Sequence, residues 1–218
     1  MKYTLLILLI PVLLLADPPA TYYNTVDLTD GDTLRNSLHL IIDGHTKIPY
    51  TSGSTDTWDV LNQADQNPLN SSQILDVYQN RGFNKSSGGN NNYNREHTWP
   101  KSYGFPDDGS SNKPYSDCHH LFLCDIGYNG SRGSNIYDNC YSSCSNYYAD
   151  SYNGQSGANQ AKTASPVGIW ETWVGRRGDV ARAMFYMDVR YEGDGYEPDL
   201  RLTDDRNLIV QYQTGNNE

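Results

Sequence analysis

Apolar side chains recur along this chain in patterns that predict separate helices. A polar run supplies caps for a helix near residues 33–42, and a shorter helix is predicted over residues 57–63. The clearest helical pattern covers residues 179–191, where one apolar stripe favours a role as core scaffold. That stripe consists of Val180, Met184, Met187 and Tyr191.

Three segments between these helices are predicted to be strands, two of them because they contain short apolar runs. The strands are expected near residues 74–78, 93–97 and 121–123, and Asp125 is placed to cap a short helix that carries Asn129. Stretches rich in Gly, Ser, Asn and Tyr are expected to be irregular. These stretches are residues 81–92, 106–114 and 140–161. The order of elements predicts an α+β fold with a mixed sheet in a single domain.

The N-terminus has the pattern of an export signal. Lys2 precedes an apolar run over residues 4–15, which is shorter than the ~20 residues that a membrane-spanning helix needs. We therefore predict a signal peptide over residues 1–16, with cleavage as late as residue 20, and a mature domain over residues 21–218. The expected protein is secreted or periplasmic, without stable membrane association, and a monomer; an uncleaved interfacial anchor is the alternative.

The net charge of the chain limits the kinds of molecule that it is expected to bind tightly. The net charge is −10, whereas nucleic-acid-binding proteins are usually basic. A bound divalent cation would offset part of this charge locally, and several basic side chains could line one face. These are Lys101, Lys113, Arg132, Arg176, Arg177 and Arg182. The charge therefore argues against tight binding of nucleic acid more than against chemistry on it.

Four cysteines fall within one short window. They are Cys118, Cys124, Cys140 and Cys144. Export makes disulfides the expected state, and sequence leaves three pairings open, among them Cys140–Cys144 with Cys118–Cys124. A zinc site that combines cysteines with His119 or His120 is the competing interpretation.

Candidate chemistry centres on Glu96 and His97, with Asn129 following 32 positions after His97. A carboxylate and an amide oxygen are hard ligands suited to Mg²⁺ or Ca²⁺, and a neutral histidine can accept a proton from water. Adjacent residues of a regular strand point to opposite faces, so a shared site requires the strand to end or bulge there. Together these groups suit attack on a phosphodiester.

Longer motifs make a family resemblance specific. The segment Asn94-Arg95-Glu96-His97-Thr98-Trp99-Pro100-Lys101-Ser102, then His120-Leu121, then Asn129-Gly130-Ser131-Arg132-Gly133, resembles the bacterial endonuclease I family of periplasmic and extracellular nucleases. Residues 177–187 resemble the long helix of that family, and the similarity extends over roughly residues 22–204.

The resemblance implies a ββα-metal (His-Me finger) site and a function. Glu96 and Asn129 would hold one divalent cation, Mg²⁺ or alternatively Ca²⁺ or Mn²⁺, and His97 would activate water. The implied activity is non-specific endonuclease cleavage of DNA, RNA or both to 5′-phosphate products. Arg132 is the implied phosphate contact, and four residues are expected to support the site. These are Arg95, Trp99, Asp117 and His120.

Two departures from the family pattern affect these expectations. Some members carry a transition-state arginine between the two motifs, whereas residues 103–115 contain none here, so Lys101, Lys113 or a distant arginine would have to serve. Members also continue past the region of Leu208 with a further helix, so a shortened C-terminus is expected. The rival from another class is a secreted disulfide-containing module that binds carbohydrate or a surface without catalysis, which the 18 tyrosines would suit.

Overall fold

A computed structural model describes residues 18–109, 112–152, 154–164, 167–195 and 197–205. The chain divides into two compact units, residues 1–41 and 42–218. The proposed signal peptide over residues 1–16 lies outside the described residues, and so does the chain beyond residue 205. None of the helices within the described ranges has the length and apolar character needed to cross a membrane.

Four helices are described. They are α1 (Gly31–Ile42), α2 (Thr57–Ala64), α3 (Ile126–Arg132) and α4 (Arg177–Arg190). The predicted caps form: Asp30 accepts from the Thr33 N–H in the first turn of α1, and Asp125 accepts from Gly127 and Tyr128 at the start of α3. A capping box between Asp56 and Asp59 on α2 was not predicted. The stripe of α4 is buried at Val180 and Met187, which fits its scaffold role.

Among the described residues, eight strands form three antiparallel or mixed sheets. They are β1 (Gln73–Leu75), β2 (Gly82–Asn84), β3 (Tyr93–His97), β4 (Leu121–Asp125), β5 (Ile136–Tyr137), β6 (Ser145–Tyr152), β7 (Gln155–Lys162) and β8 (Ile169–Glu171). β1 pairs with β2, β3 with β4, and the third sheet has the order β5-β8-β7-β6. The α+β fold class is confirmed.

Three segments differ clearly from the sequence prediction. The strand expected to reach Tyr78 ends at Leu75, because Val77 and Tyr78 turn the chain toward β2. β2 itself lies in the predicted loop 81–92. The predicted irregular stretch 140–161 is wrong for most of its length, because β6 and β7 form a long hairpin there.

The hairpin of β3 and β4 lies at the centre, with α3 following it directly. Tyr93 pairs with Asp125 and His97 with Leu121, without a register shift. The outer edge of β4 is capped by carboxylates instead of another strand: Asp65 accepts from the Leu123 N–H at 2.6 Å, and Asp76 accepts from the Asp125 N–H. These buried acceptors satisfy edge donors that would otherwise lack partners.

One disulfide is present, between Cys140 and Cys144, while Cys118 and Cys124 are free thiols. Of the disulfides that the sequence left open, Cys140–Cys144 forms and Cys118–Cys124 does not, so the expectation that all four cysteines are paired is wrong. Cys118 packs with Trp58 and Leu121 on one face of the hairpin, whereas Cys124 is buried with Tyr78 on the other. The two sulfur atoms therefore have the hairpin between them, and a disulfide needs its Cα atoms within ~7 Å.

This pairing predicts two free thiols per chain in unfolded, unreduced protein and four after reduction. The measurement is alkylation in denaturant followed by intact-mass analysis, with and without prior reduction. A Cys140→Ser and Cys144→Ser double variant should show the same two thiols in both states. If the unreduced parent protein gave no alkylation, Cys118 and Cys124 would be paired and the structure would be contradicted.

Candidate active site

The β3–β4 hairpin has two faces with different surroundings. Tyr93, Arg95 and His97 alternate onto the face that packs on α2 through Trp58 and Leu61. Asn94 and Glu96 alternate onto the face that meets α3 and the cluster around Tyr78 and Trp170. The strand has no bulge between Glu96 and His97, although a shared site would have required the strand to bulge or end there. The two side chains therefore lie on opposite faces at the end of β3.

His97 is held in one orientation by the main chain. Its Nε2 lies 2.9 Å from the carbonyl oxygen of Tyr115, and the ring of Tyr50 stacks on it with centroids 5.7 Å apart. Since a carbonyl only accepts, Nε2 carries the hydrogen and the Nδ1 lone pair remains for a proton. The side chain is largely buried, so little rotation is open to it.

The electrostatic surroundings of His97 keep it neutral. Burial lowers the pKa of His97 to about 3, and the nearby positive charges of His120, Lys101 and Arg95 act in the same direction, while the Tyr115 hydrogen bond opposes them. An imidazole that is neutral at physiological pH is able to accept a proton, whereas a protonated one is not. The imidazole is therefore in the form that accepts a proton, and the same lowering of its pKa makes it a weaker base than a free histidine.

Glu96 is buried in a polar pocket on the opposite face. Its Oε1 accepts from the Tyr78 hydroxyl at 2.8 Å and from Arg132 Nη1 at 2.9 Å. Burial raises the pKa of Glu96, while the Arg132 charge and the two hydrogen bonds work against that rise. The Tyr78 hydroxyl also meets the Tyr137 hydroxyl at 2.5 Å, so a chain of hydroxyls extends from the carboxylate toward β5.

Arg132 is a structural cation at the centre of this region. Only 1% of it is exposed, and besides Glu96 it donates to the carbonyls of His97 at 2.7 Å and Thr98 at 2.5 Å. Its guanidinium lies over the Tyr137 ring at 4.4 Å. The predicted role as a phosphate contact does not fit this geometry, because the side chain is buried and both Nη atoms donate to protein acceptors, while Nε is buried without a partner among the described residues. Arg132 instead fixes the main chain on which His97 is carried.

Asn129 lies on the first helix after the hairpin and faces the same side as Glu96. Its Nδ2 donates to Asn94 Oδ1 at 2.7 Å and to the Arg95 carbonyl at 3.3 Å, which leaves the amide oxygen as its remaining polar atom. An amide oxygen and a carboxylate on one face fit a hard divalent cation. Arg132 donates to Oε1 of Glu96, so a cation at this position would be bound through Oε2.

The four supporting residues have distinct structural roles. Arg95 lies between the rings of Tyr50 and Trp58, at 3.4 and 4.4 Å, and donates to Thr57. Trp99 is buried, and its indole N–H donates to the Tyr103 carbonyl at 3.0 Å.

His120 complements His97 in an unexpected way. Its Nε2 lies 2.7 Å from the Pro114 carbonyl, the residue before the carbonyl that holds His97, and the two rings are 5.4 Å apart. Two consecutive carbonyls of the 3₁₀ turn Lys113–Ser116 therefore orient both histidines. No side-chain motif encodes main-chain acceptors, so sequence reasoning missed this turn; Pro114 at its start was the only indication.

Asp117 connects the site to α4. Its carboxylate accepts from the hydroxyls of Tyr186 at 2.9 Å and Tyr191 at 2.7 Å, and lies 2.9 Å from His119 Nδ1. Burial acts to raise the pKa of Asp117, but the His119 hydrogen bonds and the charge of His120 hold it well below its usual value. Asp117 thereby orders the segment that supplies both carbonyls.

Acid should destabilise the parent protein more steeply than the Asp117→Asn variant. The folded-state pKa of Asp117 lies below the unfolded value of about 3.9, so its stabilising contribution is present above that value and is lost progressively as pH falls from there toward the lower folded-state pKa. Urea unfolding from about pH 6 to about pH 3 measures this difference. Asp108→Asn, at an exposed ion pair with Lys47, is the control. Parallel curves for parent and Asp117→Asn would refute the assignment.

The basic side chains proposed to replace a missing arginine mostly have other partners. Lys113 pairs with Glu197, Arg177 with Glu171, and both Arg176 and Arg182 with Asp179. Lys101 differs, because its ammonium lies 3.2 Å from the Tyr115 hydroxyl and 5.2 Å from that ring, beside the residue that orients His97. Its side chain is exposed and therefore accessible to a phosphate.

Comparisons with known proteins now add to this geometry. The sequence profile of the Endonuclease I family matches residues 30–205. The chain belongs to the Endonuclease I family. It is 38% identical over 186 residues to an extracellular ribonuclease of Bacillus subtilis (strain 168), which covers 84% of this chain and 58% of that protein.

A second relative agrees with the first. The chain is 37% identical over 187 residues to an extracellular ribonuclease of Bacillus amyloliquefaciens, again 84% of this chain and 58% of the relative. This Endonuclease I chain therefore spans less than two thirds of the length of both curated relatives. A comparison with solved structures found none that matches it.

Proposed function

We propose that this protein is an exported nuclease that hydrolyses the phosphodiester bonds of RNA, with DNA as a second substrate. Membership of the Endonuclease I family and two relatives named as extracellular ribonucleases support the reaction class and the location outside the cytoplasm. The observation that carries the proposal is the imidazole of His97, which the Tyr115 carbonyl fixes with its Nδ1 lone pair available.

His97 acts as the general base. A water molecule at Nδ1 gives up its proton to the neutral imidazole as its oxygen attacks phosphorus. The P–O3′ bond breaks, the 3′ oxygen leaves and takes up a proton from solvent, and the products are a 5′-phosphate and a 3′-hydroxyl. Arg132 is a positioning residue, because it binds the carbonyls of His97 and Thr98 and so fixes the main chain on which the base is carried. Lys101 supplies positive charge to the phosphate on the His97 face.

Glu96 and Asn129 would hold a divalent cation, Mg²⁺ in the first instance. A cation bound there supplies charge neutralisation at the phosphate and at the leaving oxygen. Because Glu96 and His97 lie on opposite faces, the scissile phosphate has to approach the end of β3, where the two faces meet. The protein reads phosphate at this position, which gives it no means there of selecting a base sequence.

The acidic surface limits affinity for the polymer. With a net charge of −10, long-range attraction between protein and nucleic acid is absent, and binding depends on local contacts and on the cation. A monomer with one such site suffices for the reaction.

The proposal is tested with purified protein stripped of metal by EDTA. Total RNA and plasmid DNA are incubated with it over a series of salt concentrations, with Mg²⁺, Mn²⁺ or Ca²⁺ added back. We expect metal-dependent cleavage, fastest on RNA. Asn129→Ala should raise the metal concentration for half-maximal activity, while Asn139→Ala, at an exposed asparagine, should not.

Two outcomes would contradict this proposal. If folded protein cut neither polymer under any salt or metal, the nuclease assignment would be rejected and a carbohydrate-binding module would become the working hypothesis. If cleavage persisted unchanged in EDTA, the cation would have no place in the reaction.

A further inference from the structure

A cavity of about 550 Å³ lies next to the Glu96 face of the candidate site. Its walls include Trp99, Tyr137 and Met184, and Phe185 from α4 stands at one side. The volume falls within the range of ~300–1,000 Å³ typical of sites for small organic molecules. Phe185 is 64% exposed, which is unusual for a large apolar side chain. It lies outside the apolar stripe of α4, which is buried at Val180 and Met187.

The cavity wall is connected by side-chain contacts to the carboxylate of Glu96. Arg132, which pairs with Glu96, forms part of its wall, and Trp99 lies two positions after His97. The hydroxyl of Tyr137 bonds that of Tyr78, which in turn donates to Glu96. Arg132 and the Tyr137–Tyr78 pair therefore join the wall of the cavity to the end of β3.

Charge at the rim indicates what the cavity can accept. Asp138 and Asp204 are exposed residues of its lining, of which Asp138 accepts from the Asn139 N–H at 2.7 Å, while the guanidinium of Arg201 pairs with Asp199 at 3.1 Å. Carboxylates repel a phosphate but accept hydrogen bonds from N–H groups. Flat aromatic walls with acceptors at the rim match a planar ring that carries N–H donors on its edge, as a nucleobase does.

We propose that this cavity binds one unpaired nucleobase of the substrate, and that guanine fits it best. Guanine presents two adjacent N–H donors, from N1 and the 2-amino group, to a single carboxylate, whereas uracil presents one. A base in a duplex has these donors engaged with its partner, so the cavity favours single-stranded polymer. The inference rests on the proposed nuclease function and adds the part of the substrate that is recognised.

The experiment is a calorimetric titration of the metal-free protein with guanosine, uridine and inorganic phosphate. We expect guanosine to bind, uridine to bind at least about tenfold more weakly, and phosphate not to compete. Phe185→Ala should weaken guanosine binding about tenfold through loss of the stacking surface. Tyr141→Ala removes another exposed aromatic ring, 88% exposed, and should leave binding unchanged.

A second variant tests the rim. Asp204→Asn should reduce the preference for guanosine over inosine, which lacks the 2-amino group, while both ligands still bind. Phe185 and Asp204 are exposed, so circular dichroism should show both variants folded.

The proposal would be overturned if guanosine did not bind the folded parent protein, if phosphate displaced it, or if Tyr141→Ala weakened binding as much as Phe185→Ala. Because the titration contains neither metal nor polymer, its failure would leave the nuclease assignment intact. Conversely, if the protein cleaved no polymer, the titration would still show whether the cavity binds guanosine.

Discussion

Replacement of His97 by alanine is expected to lower the rate of RNA hydrolysis by about 10²–10⁴-fold, the range contributed by a general base. The reason is the loss of the only proton acceptor that the Tyr115 carbonyl holds with a free lone pair at the end of β3. The measurement is the rate of cleavage of a labelled oligoribonucleotide under single-turnover conditions with saturating Mg²⁺.

The matched control is His119→Ala. The side chain of His119 is 69% exposed, and its ring contacts Asp117 instead of the proposed reacting water. We expect that variant to retain the parent rate within a few-fold. A His97→Ala protein that is folded and still cleaves at the parent rate would remove His97 from the mechanism.

The second large effect concerns stability. Arg132→Met is expected to lower the free energy of unfolding by about 3–5 kcal/mol, because it leaves the Glu96 carboxylate buried without its cation. It also removes donors from the carbonyls of His97 and Thr98. Urea unfolding followed by tryptophan fluorescence measures this change.

Arg182→Met serves as the surface control, because Arg182 is 74% exposed and its ion pair with Asp179 should contribute about 0–1 kcal/mol. Combining Arg132→Met with Glu96→Gln should recover part of the loss, since the amide needs no counter-charge. Equal losses for Arg132→Met and Arg182→Met would show that the buried pair has no special role.

The central elements could be predicted from sequence because local patterns encode them. The strand Tyr93–His97 and the helix begun by Asp125 were placed by apolar spacing and a capping carboxylate. The apolar stripe of α4 likewise matched its burial at Val180 and Met187.

The hairpin of β6 and β7 escaped prediction for a physical reason. Its buried positions are occupied by Ala149, Asn159 and Ala161, small or polar residues that give no alternation of apolar and polar side chains. Asn159 is buried because its amide donates to the carbonyls of Tyr78 and Tyr147 and accepts from the Trp173 N–H. Such pairings are long-range, and a single sequence does not display them.

In the candidate site, too, local features were predictable from the sequence and long-range contacts were not. The residues of the motif were identifiable, whereas the partner of each side chain was not. Arg132 follows Asn129 by three positions, which suggested a substrate contact, but its depth in the structure depends on Glu96 and Tyr137. The acceptor for His97 is a main-chain carbonyl at Tyr115, which has no sequence signature.

The most direct test of the account is hydrolysis of a defined oligoribonucleotide in ¹⁸O-labelled water, followed by mass analysis of the product ends. Attack by a water molecule that His97 activates predicts 5′-phosphate ends that carry one ¹⁸O atom, and 3′-hydroxyl ends without label. Products with 2′,3′-cyclic phosphate ends would show that the ribose 2′-hydroxyl, and not water, is the nucleophile, and would contradict the account.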